Sequence, residues 1–322
     1  MSEPFILEAL PPWSPPKVAV LGIGHAGIRA LNAILQAPVR GINGIAMASD
    51  EGALTTSLAP VHLHVDTSRG PEHSVALHEL LAATDLVFLT GSMGEPSPRA
   101  ITPSIARLAQ EMGCLTIAMV STFSPGDSPQ HMSRVEEGLH TLRPYVDALL
   151  PLSVQRVWQV TERLPAWHDT ENTIDMAICQ TVQGIADLVT QTGLVCLDLM
   201  DLRMLFRSSG WATMGSGGAS GVAAAMVAAQ QALASPWLDV SSFPQARSVL
   251  VNITSGADLS LPAVHEAASA VYDRAHPEVW KIFGAVVDAP MQDYVRVTVV
   301  AAGLPTPTLC EETRPDGWLH QE

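Results

Sequence analysis

The sequence predicts an α/β protein in which a parallel-sheet domain is followed by a long central helix and a smaller α+β domain. Short apolar runs alternate with segments of helical spacing through the first half of the 322 residues, which is typical of a parallel sheet covered on both faces. An uninterrupted helical pattern follows, and beyond it helices and strands alternate with a partly polar texture. These three observations predict two domains with one helix between them.

The chain begins with an arm, residues 1–16, whose five prolines favour an irregular segment lying against the core. A peptide that docks on a partner or touches a membrane is the alternative interpretation. After the arm, short apolar runs predict four buried strands, and helical spacing follows the first and third of them. Gly113 is expected to end the second of these helices. The predicted strands cover residues 17–22, 45–47, 85–90 and 115–121.

A long helix is predicted over residues 172–190, because apolar residues recur there at intervals of three and four. These residues are Ile174, Ile178, Val182, Ile185 and Val189. The segment beyond predicts helices at 219–234 and 262–276 and strands at 247–254, 282–288 and 294–301. The last strand alternates polar and apolar residues, so we expect one of its faces to be wet.

The predicted domain organisation follows from these elements. We expect a first domain at residues 17–171, a central helix at 172–192, an α+β domain at 193–304 and a tail at 305–322. The two domains are expected to have separate sheets rather than one continuous sheet, with the central helix as the bridge between them.

Composition excludes several classes of function. The chain has 17 basic and 32 acidic residues and a net charge of −15, which disfavours nucleic acid and anionic lipid as partners. Its four cysteines are widely spaced, with no CxxC pair, so neither a disulfide framework nor a zinc site is expected. No signal peptide or membrane-spanning run is visible, so we expect a cytoplasmic protein.

A glycine motif joins the first strand to the first helix. Gly22, Gly24 and Gly27 form a G-x-G-x-x-G pattern, in which backbone N–H groups at a helix N-terminus bind phosphate. Asp50 follows the next strand, where an acid binds ribose in dinucleotide enzymes. A glycine turn that only packs the helix on the sheet is the alternative. A nicotinamide-dependent oxidoreductase that uses NAD is a remote functional alternative, because no proton donor with an orienting partner accompanies the motif.

A second glycine-containing loop, residues 88–103, again joins a strand to a helix. Two such loops after two different strands resemble the nucleotide domain of the tubulin superfamily, and the chain resembles the bacterial FtsZ family from about residue 17 to residue 304. The motifs that carry this resemblance are residues 181–190, 193–203, 214–221, 249–259 and 294–304.

The resemblance implies a Rossmann-like GTPase-type domain, GTP or GDP with an accompanying Mg²⁺, and subunits that stack head to tail. It implies catalytic roles for Asp198 and Asp201, in a motif where Cys196 replaces the family's asparagine. Capping of the following helix is the alternative role for these acids. It also implies a set of nucleotide-binding residues: Gly22, Gly24, Gly27, Asp50, Gly94, Ser97, Arg99 and Asp175.

Departures from the family concentrate on the nucleotide. The family signature G-G-G-T-G-T-G reads G-E-P-S-P-R-A over residues 94–100. Pro96 and Pro98 have no N–H to donate, and Glu95 would repel a phosphate, although Arg99 could offset that repulsion.

The sites for the base and sugar are altered as well. On the central helix the position of the family's base-binding aspartate falls on Met176, one residue from Asp175, which is a rotation of about 100°. The segment 123–132 offers Asp127 but no arginine, and the next one is Arg134.

These features predict a divergent FtsZ-like cytoskeletal protein that forms filaments with weak or absent GTP hydrolysis. Its partners are expected to be further copies of itself, another FtsZ-like protein or a membrane-attached partner, in a process such as cell division or membrane remodelling. A non-polymerising FtsZ-like regulator or binding module is the alternative.

Overall fold

Eleven strands form one hydrogen-bonded sheet in the described part of the chain. The computed structural model describes residues 14–65, 70–71, 74–122, 127–153, 167–191, 193–207, 209–257 and 259–307. The strands are β1 (Val18–Ile23), β2 (Ile42–Ala48), β3 (Val61–His64), β4 (Leu86–Ser92), β5 (Leu115–Ser121), β6 (Ala148–Leu152), β7 (Gly193–Val195), β8 (Gly210–Ser220), β9 (Ser248–Ser255), β10 (Trp280–Val287) and β11 (Tyr294–Leu304).

The α-helices connect these strands and cover both faces of the sheet. They are α1 (Gly24–Gln36), α2 (Glu51–Thr55), α3 (Val75–Ala82), α4 (Pro96–Glu111), α5 (Pro129–Leu142), α6 (Trp167–Thr190), α7 (Leu199–Phe206), α8 (Ala224–Leu233) and α9 (Leu261–Tyr272). None of the helices in the described ranges combines the length and the apolar character needed to cross a membrane.

The sheet has a parallel half and a mixed half, in the order β3-β2-β1-β4-β5-β6-β8-β11-β9-β10-β7. Strands β1 to β6 pair only in parallel, as predicted. In the second half β11 lies antiparallel to both β8 and β9, while β9 and β10 are parallel.

The expectation of two separate sheets is wrong. Strand β8 begins beside the start of β6, and Ala148 and Leu149 pair with Gly210 and Trp211. These two residue pairs join the two halves into one hydrogen-bonded sheet. All other strand pairs lie within one half or the other.

The central helix α6 is confirmed and begins at Trp167, earlier than residue 172. Its five predicted apolar residues are all at most 4% exposed and belong to one core cluster. That cluster includes Val18 and Phe88 of the first half and Leu250 and Val300 of the second. The helix is therefore buried against both halves, which is the bridging role predicted for it.

The prediction that one face of the last strand is wet is also wrong. In β11 both alternating sets of residues are buried from Val297 to Ala302, because β8 and β9 flank the strand and α6 covers its polar face. Arg296 donates from that face to Gln183 Oε1 at 2.8 Å, and Thr298 lies against Gly184 of α6. The polar residues are therefore internal contacts to the central helix.

Other differences have a local cause. Strand β8 covers residues 210–220, so the helix predicted from residue 219 begins only at Ala224. Strand β8 contains several glycines, and because glycine is depleted in strands, residue propensities do not predict a strand there. Strand β3, residues 61–64, was not predicted; along the chain it comes between the second and third predicted strands. Most of the predicted arm and tail, and residues 66–69 and 123–126, lie outside the described residues.

Candidate functional site

The two glycine-containing loops lie side by side at the carboxyl edge of the parallel sheet. Strand β1 ends at Ile23 and α1 begins at Gly24, while the neighbouring strand β4 ends at Ser92 and is followed by α4. Gly27 approaches the Thr90 carbonyl so closely that a side chain would not fit. Tight helix–sheet packing therefore accounts for Gly27, whatever else the loop binds.

The carboxylate of Glu95 lies on the N-terminus of α1. Its two oxygens accept hydrogen bonds from the backbone N–H groups of His25 and Ala26, each at 3.1 Å. The ring of Pro98 packs against Gly24, so that a Cβ at Gly24 would meet both Pro98 and Glu95. The second loop therefore places a negative group and a proline ring against the first loop, where phosphate binding was predicted.

Side-chain contacts also link the residues that surround the two loops. Ser49, at the end of β2, shares a hydrogen bond of 2.9 Å with Ser97 in the first turn of α4. His25 Nε2 lies 3.4 Å from a carboxylate oxygen of Asp50. Asp50 also caps α2 by accepting from the N–H groups of Gly52 and Ala53. The predicted ribose-binding acid and Ser97 are thus both engaged within the chain.

Asp175 lies on α6 and is paired with Arg29 of α1. The Arg29 Nε donates to Asp175 Oδ2 at 2.6 Å, and its Nη1 lies 2.8 Å from Glu171 Oε1, one helical turn away. Burial raises the pKa of the Asp175 carboxyl, and Arg29 opposes that shift. Asp175 is 4% exposed whereas Met176 is 59% exposed. The 100° rotation between the two positions therefore turns the acid toward α1 and the methionine toward solvent.

The remaining predicted residues of the second loop contact α5 and their own turn. The N–H of Gly94 donates to Ser92 Oγ at 3.2 Å. Arg99 donates from Nη1 to the Met93 carbonyl at 3.3 Å, and its stem packs on Gly138 of α5. The contacts of Arg99 thus lie between α4 and α5, and they include no group of the first loop.

Asp198 and Asp201 form a capping box at the start of α7. Asp198 accepts from the Asp201 N–H at 2.8 Å, and Asp201 accepts from the Asp198 N–H at 3.0 Å. Arg203 of the same helix donates to the Gly113 carbonyl at 2.8 Å, just before β5 begins. The two acids therefore lie toward the amino edge of the parallel sheet, opposite the glycine loops. Nearby Cys196 is exposed.

The structure adds two residues that the sequence reasoning did not assign to the site. Arg29 pairs with both Asp175 and Glu171. The signal in the sequence was the spacing of four residues that places the two acids on one helix face. In the described ranges no group of three or more His, Cys, Asp or Glu side chains is arranged to hold a metal ion. A Mg²⁺ ion remains a prediction that depends on a bound nucleotide.

Comparisons with known proteins agree with this architecture. The model of the FtsZ family C-terminal domain matches residues 210–305. The cell division protein FtsZ of Caulobacter vibrioides is 32% identical over 305 residues, which are 90% of this chain and 60% of that protein. The chain thus spans less than two thirds of the length of the curated relatives it matches.

Solved structures give the same result for the fold. A mutant of FtsZ from M. jannaschii is similar with a TM-score of 0.82 and 24% identity, covering 90% of this chain and 92% of that one. CetZ2 from Haloferax volcanii, described as a GTPγS-bound protofilament, has a TM-score of 0.72 and 17% identity, covering 91% and 94%.

The fold is that of an α/β protein with two adjacent glycine-containing loops at the carboxyl edge of a parallel sheet. The second half of the chain matches the FtsZ family model, and the chain over 90% of its length is similar to FtsZ, a protein of the tubulin/FtsZ superfamily. The solved structures of FtsZ and CetZ share its fold. Its relatives include bacterial cell division proteins.

Proposed function

We propose that this chain is an FtsZ/tubulin-like cytoskeletal protein whose subunits associate head to tail into filaments and whose GTP binding and hydrolysis are weak or lost. The observation that carries the proposal is that groups expected to bind nucleotide, the N–H groups of the first loop and the Asp175 carboxylate, are already bonded to other side chains of the protein. Glu95 accepts from the first turn of α1, and Arg29 holds Asp175. A nucleotide would have to displace both contacts.

The head-to-tail arrangement is supported by the opposite positions of the two predicted halves of the site. Asp198 and Asp201 lie toward the amino edge of the parallel sheet, and the glycine loops lie at the carboxyl edge. One chain therefore does not bring them together, whereas a second copy stacked along the same axis does. Such a contact is heterologous and extends into a filament. Two of the similar structures are described as a dimer and a protofilament.

The second loop lacks hydrogen-bond donors for a phosphate, which supports the proposal that nucleotide binding is weak. Pro96 and Pro98 supply no N–H group, and the Arg99 guanidinium is engaged with the Met93 carbonyl. Charge-assisted hydrogen bonds contribute about 1.5–3 kcal/mol each, so the loss of two weakens binding by about two to four orders of magnitude. GTP, GDP and any accompanying Mg²⁺ are therefore expected to bind poorly.

The assembly part is tested by sedimentation and electron microscopy of concentrated protein with and without GTP. We expect polymers or head-to-tail oligomers in both conditions, and calorimetry should detect no tight GTP binding. A protein that stays monomeric at all concentrations would support the non-polymerising regulator instead. Co-sedimentation with another FtsZ-like protein or with a membrane-attached partner would then identify its target. Nothing in the described residues favours the nicotinamide-dependent oxidoreductase.

Substitutions at Asp198 separate a capping role from a catalytic one. Asn caps a helix as well as Asp does, so Asp198→Asn should leave the melting temperature unchanged, whereas Asp198→Ala should cost about 1 kcal/mol of stability. If the acid also assists hydrolysis, any residual phosphate release disappears in both variants. Tight GTP binding by the unmodified chain, with steady release that Asp198→Asn abolishes, would contradict the proposed loss of nucleotide chemistry.

A further inference from the structure

The contact between Glu95 and α1 has the features of a bound ligand. Both carboxylate oxygens are used, one on the N–H of His25 and one on the N–H of Ala26, each at 3.1 Å. These N–H groups belong to the first turn of a 13-residue helix, where no residue of the helix can accept from them. The N-cap residue of α1, Ile23, has no side-chain oxygen to satisfy them. The carboxylate therefore supplies what the local sequence of α1 lacks.

The position of Glu95 is held from the other side by its own helix. Glu95 is the N-cap residue of α4, and its side chain makes no capping bond to α4 itself. The Glu95 side chain reaches instead to α1, where His25 is 70 residues earlier in the sequence. Pro98 packs on Gly24, and Ser97 bonds to Ser49, so three residues of the second loop contact the first loop or the end of β2. The carboxylate is thus tethered in place.

We propose that Glu95 is a built-in anionic ligand that closes the first loop in an autoinhibitory contact, so that the loop keeps its structure without a phosphate. This inference deepens the proposed function, on which it rests for the identity of the site. A tethered carboxylate competes at a high effective concentration with any free anion. Loss of nucleotide binding is then caused by occupation of the loop as well as by missing donors.

The experiment compares the unmodified chain with Glu95→Gly, Glu95→Gln and the control Glu111→Gln. Glu111 is an exposed carboxylate at the opposite end of α4. Thermal unfolding is followed in sodium chloride, inorganic phosphate and pyrophosphate at matched ionic strength. We expect both Glu95 variants to melt at a lower temperature in chloride and to regain stability with increasing pyrophosphate. The unmodified chain and the control should not respond to pyrophosphate.

Affinity provides the second readout. By calorimetry, pyrophosphate should bind Glu95→Gly at least about tenfold more tightly than the unmodified chain, because the internal competitor is absent. Glu95→Gln retains the side-chain volume and reports on charge alone if the glycine variant folds poorly. Equal pyrophosphate responses in the unmodified chain and both variants would overturn the inference while leaving weak GTP binding intact. Tight GTP binding by the unmodified chain would instead overturn the proposed function.

Discussion

At the scale of single residues, long-range partners change what a side chain can do. Asp175 was expected to serve the nucleotide, yet its carboxylate is bonded to Arg29, 146 residues earlier in the chain. The exposed fraction of Arg29 is about a third, while Asp175 is nearly inaccessible. A buried carboxylate that lost this partner would be left unpaired at a large cost in stability. The pair is therefore a structural link between α1 and α6.

A second buried acid on α6 makes a testable prediction about pH. Asp187 faces Arg296 of β11 at 3.4 Å, accepts from Gln191, and is influenced by Asp288 and Arg40. Burial raises the pKa of the Asp187 carboxyl from 3.8 to about 6, against the opposing effect of Arg296. The folded chain therefore binds a proton at Asp187 more tightly than the unfolded chain does. The stability that protonated Asp187 contributes is present in full below pH 4 and is lost as the pH rises through 6.

We expect Asp187→Asn to remove this dependence. Across that pH window the difference amounts to about 1 to 3 kcal/mol in the free energy of unfolding. Urea denaturation at several pH values between 4 and 7 measures it, with the exposed Asp273→Asn as the control. If Asp187→Asn and Asp273→Asn give parallel stability profiles, the raised pKa of Asp187 is not a property of the folded protein.

At the scale of elements, the packing of α6 on β11 depends on a glycine. Gly184 lies against the side chain of Thr298, and its carbonyl accepts from Asn252 Nδ2 at 2.7 Å. A Cβ built on Gly184 would lie 2.8 Å from Thr298 Oγ1, and Thr298 is 2% exposed. Both elements are buried at this contact, so relieving the overlap requires the packed core around them to shift.

We therefore expect Gly184→Ala to destabilise the protein by about 1 to 3 kcal/mol, even though alanine favours a helix by about 1 kcal/mol. The matched control is Gly138→Ala on α5, where the two nearest atoms belong to the flexible stem of Arg99 and the next, Met93 Sδ, is 3.4 Å from the added Cβ. That variant should cost much less, since Arg99 can change rotamer. Thermal unfolding measures both. Equal losses in the two variants would mean that the α6–β11 contact adapts as easily as a surface side chain.

At the scale of the whole molecule, the net charge of −15 sets a condition on assembly. Copies of an acidic chain repel one another, and salt screens that repulsion over about 10 Å at 0.1 M. The exposed apolar side chains on α7, Met200 and Met204, offer contacts that salt does not weaken.

We expect the concentration needed for assembly to fall severalfold as sodium chloride rises from about 20 to about 200 mM. Pelleting across a concentration series measures it, and sucrose at matched osmolality serves as the control. A threshold that rises with salt would indicate that head-to-tail contacts depend on ion pairs instead.

The sequence by itself determined the class of fold, because burial of apolar residues leaves a period that can be read locally. Strand β5 was predicted with its observed bounds, and the apolar spacing along α6 identified the helix that both halves pack against. The two glycine loops were placed correctly after β1 and β4. Each of these features depends on neighbours within about one element's length.

Only the tertiary structure decided how the halves meet and what the site contains. Strand β11 alternates polar and apolar residues like an exposed strand, yet α6 covers its polar side. From the sequence, Glu95 is expected only to repel a phosphate, yet its carboxylate accepts hydrogen bonds from the N-terminus of α1. The side-chain contacts join residues that are 69 or more positions apart. The two halves of the sheet meet through only two residue pairs, between β6 and β8. A local period carries no information about such partners, because their proximity depends on the path of the whole chain.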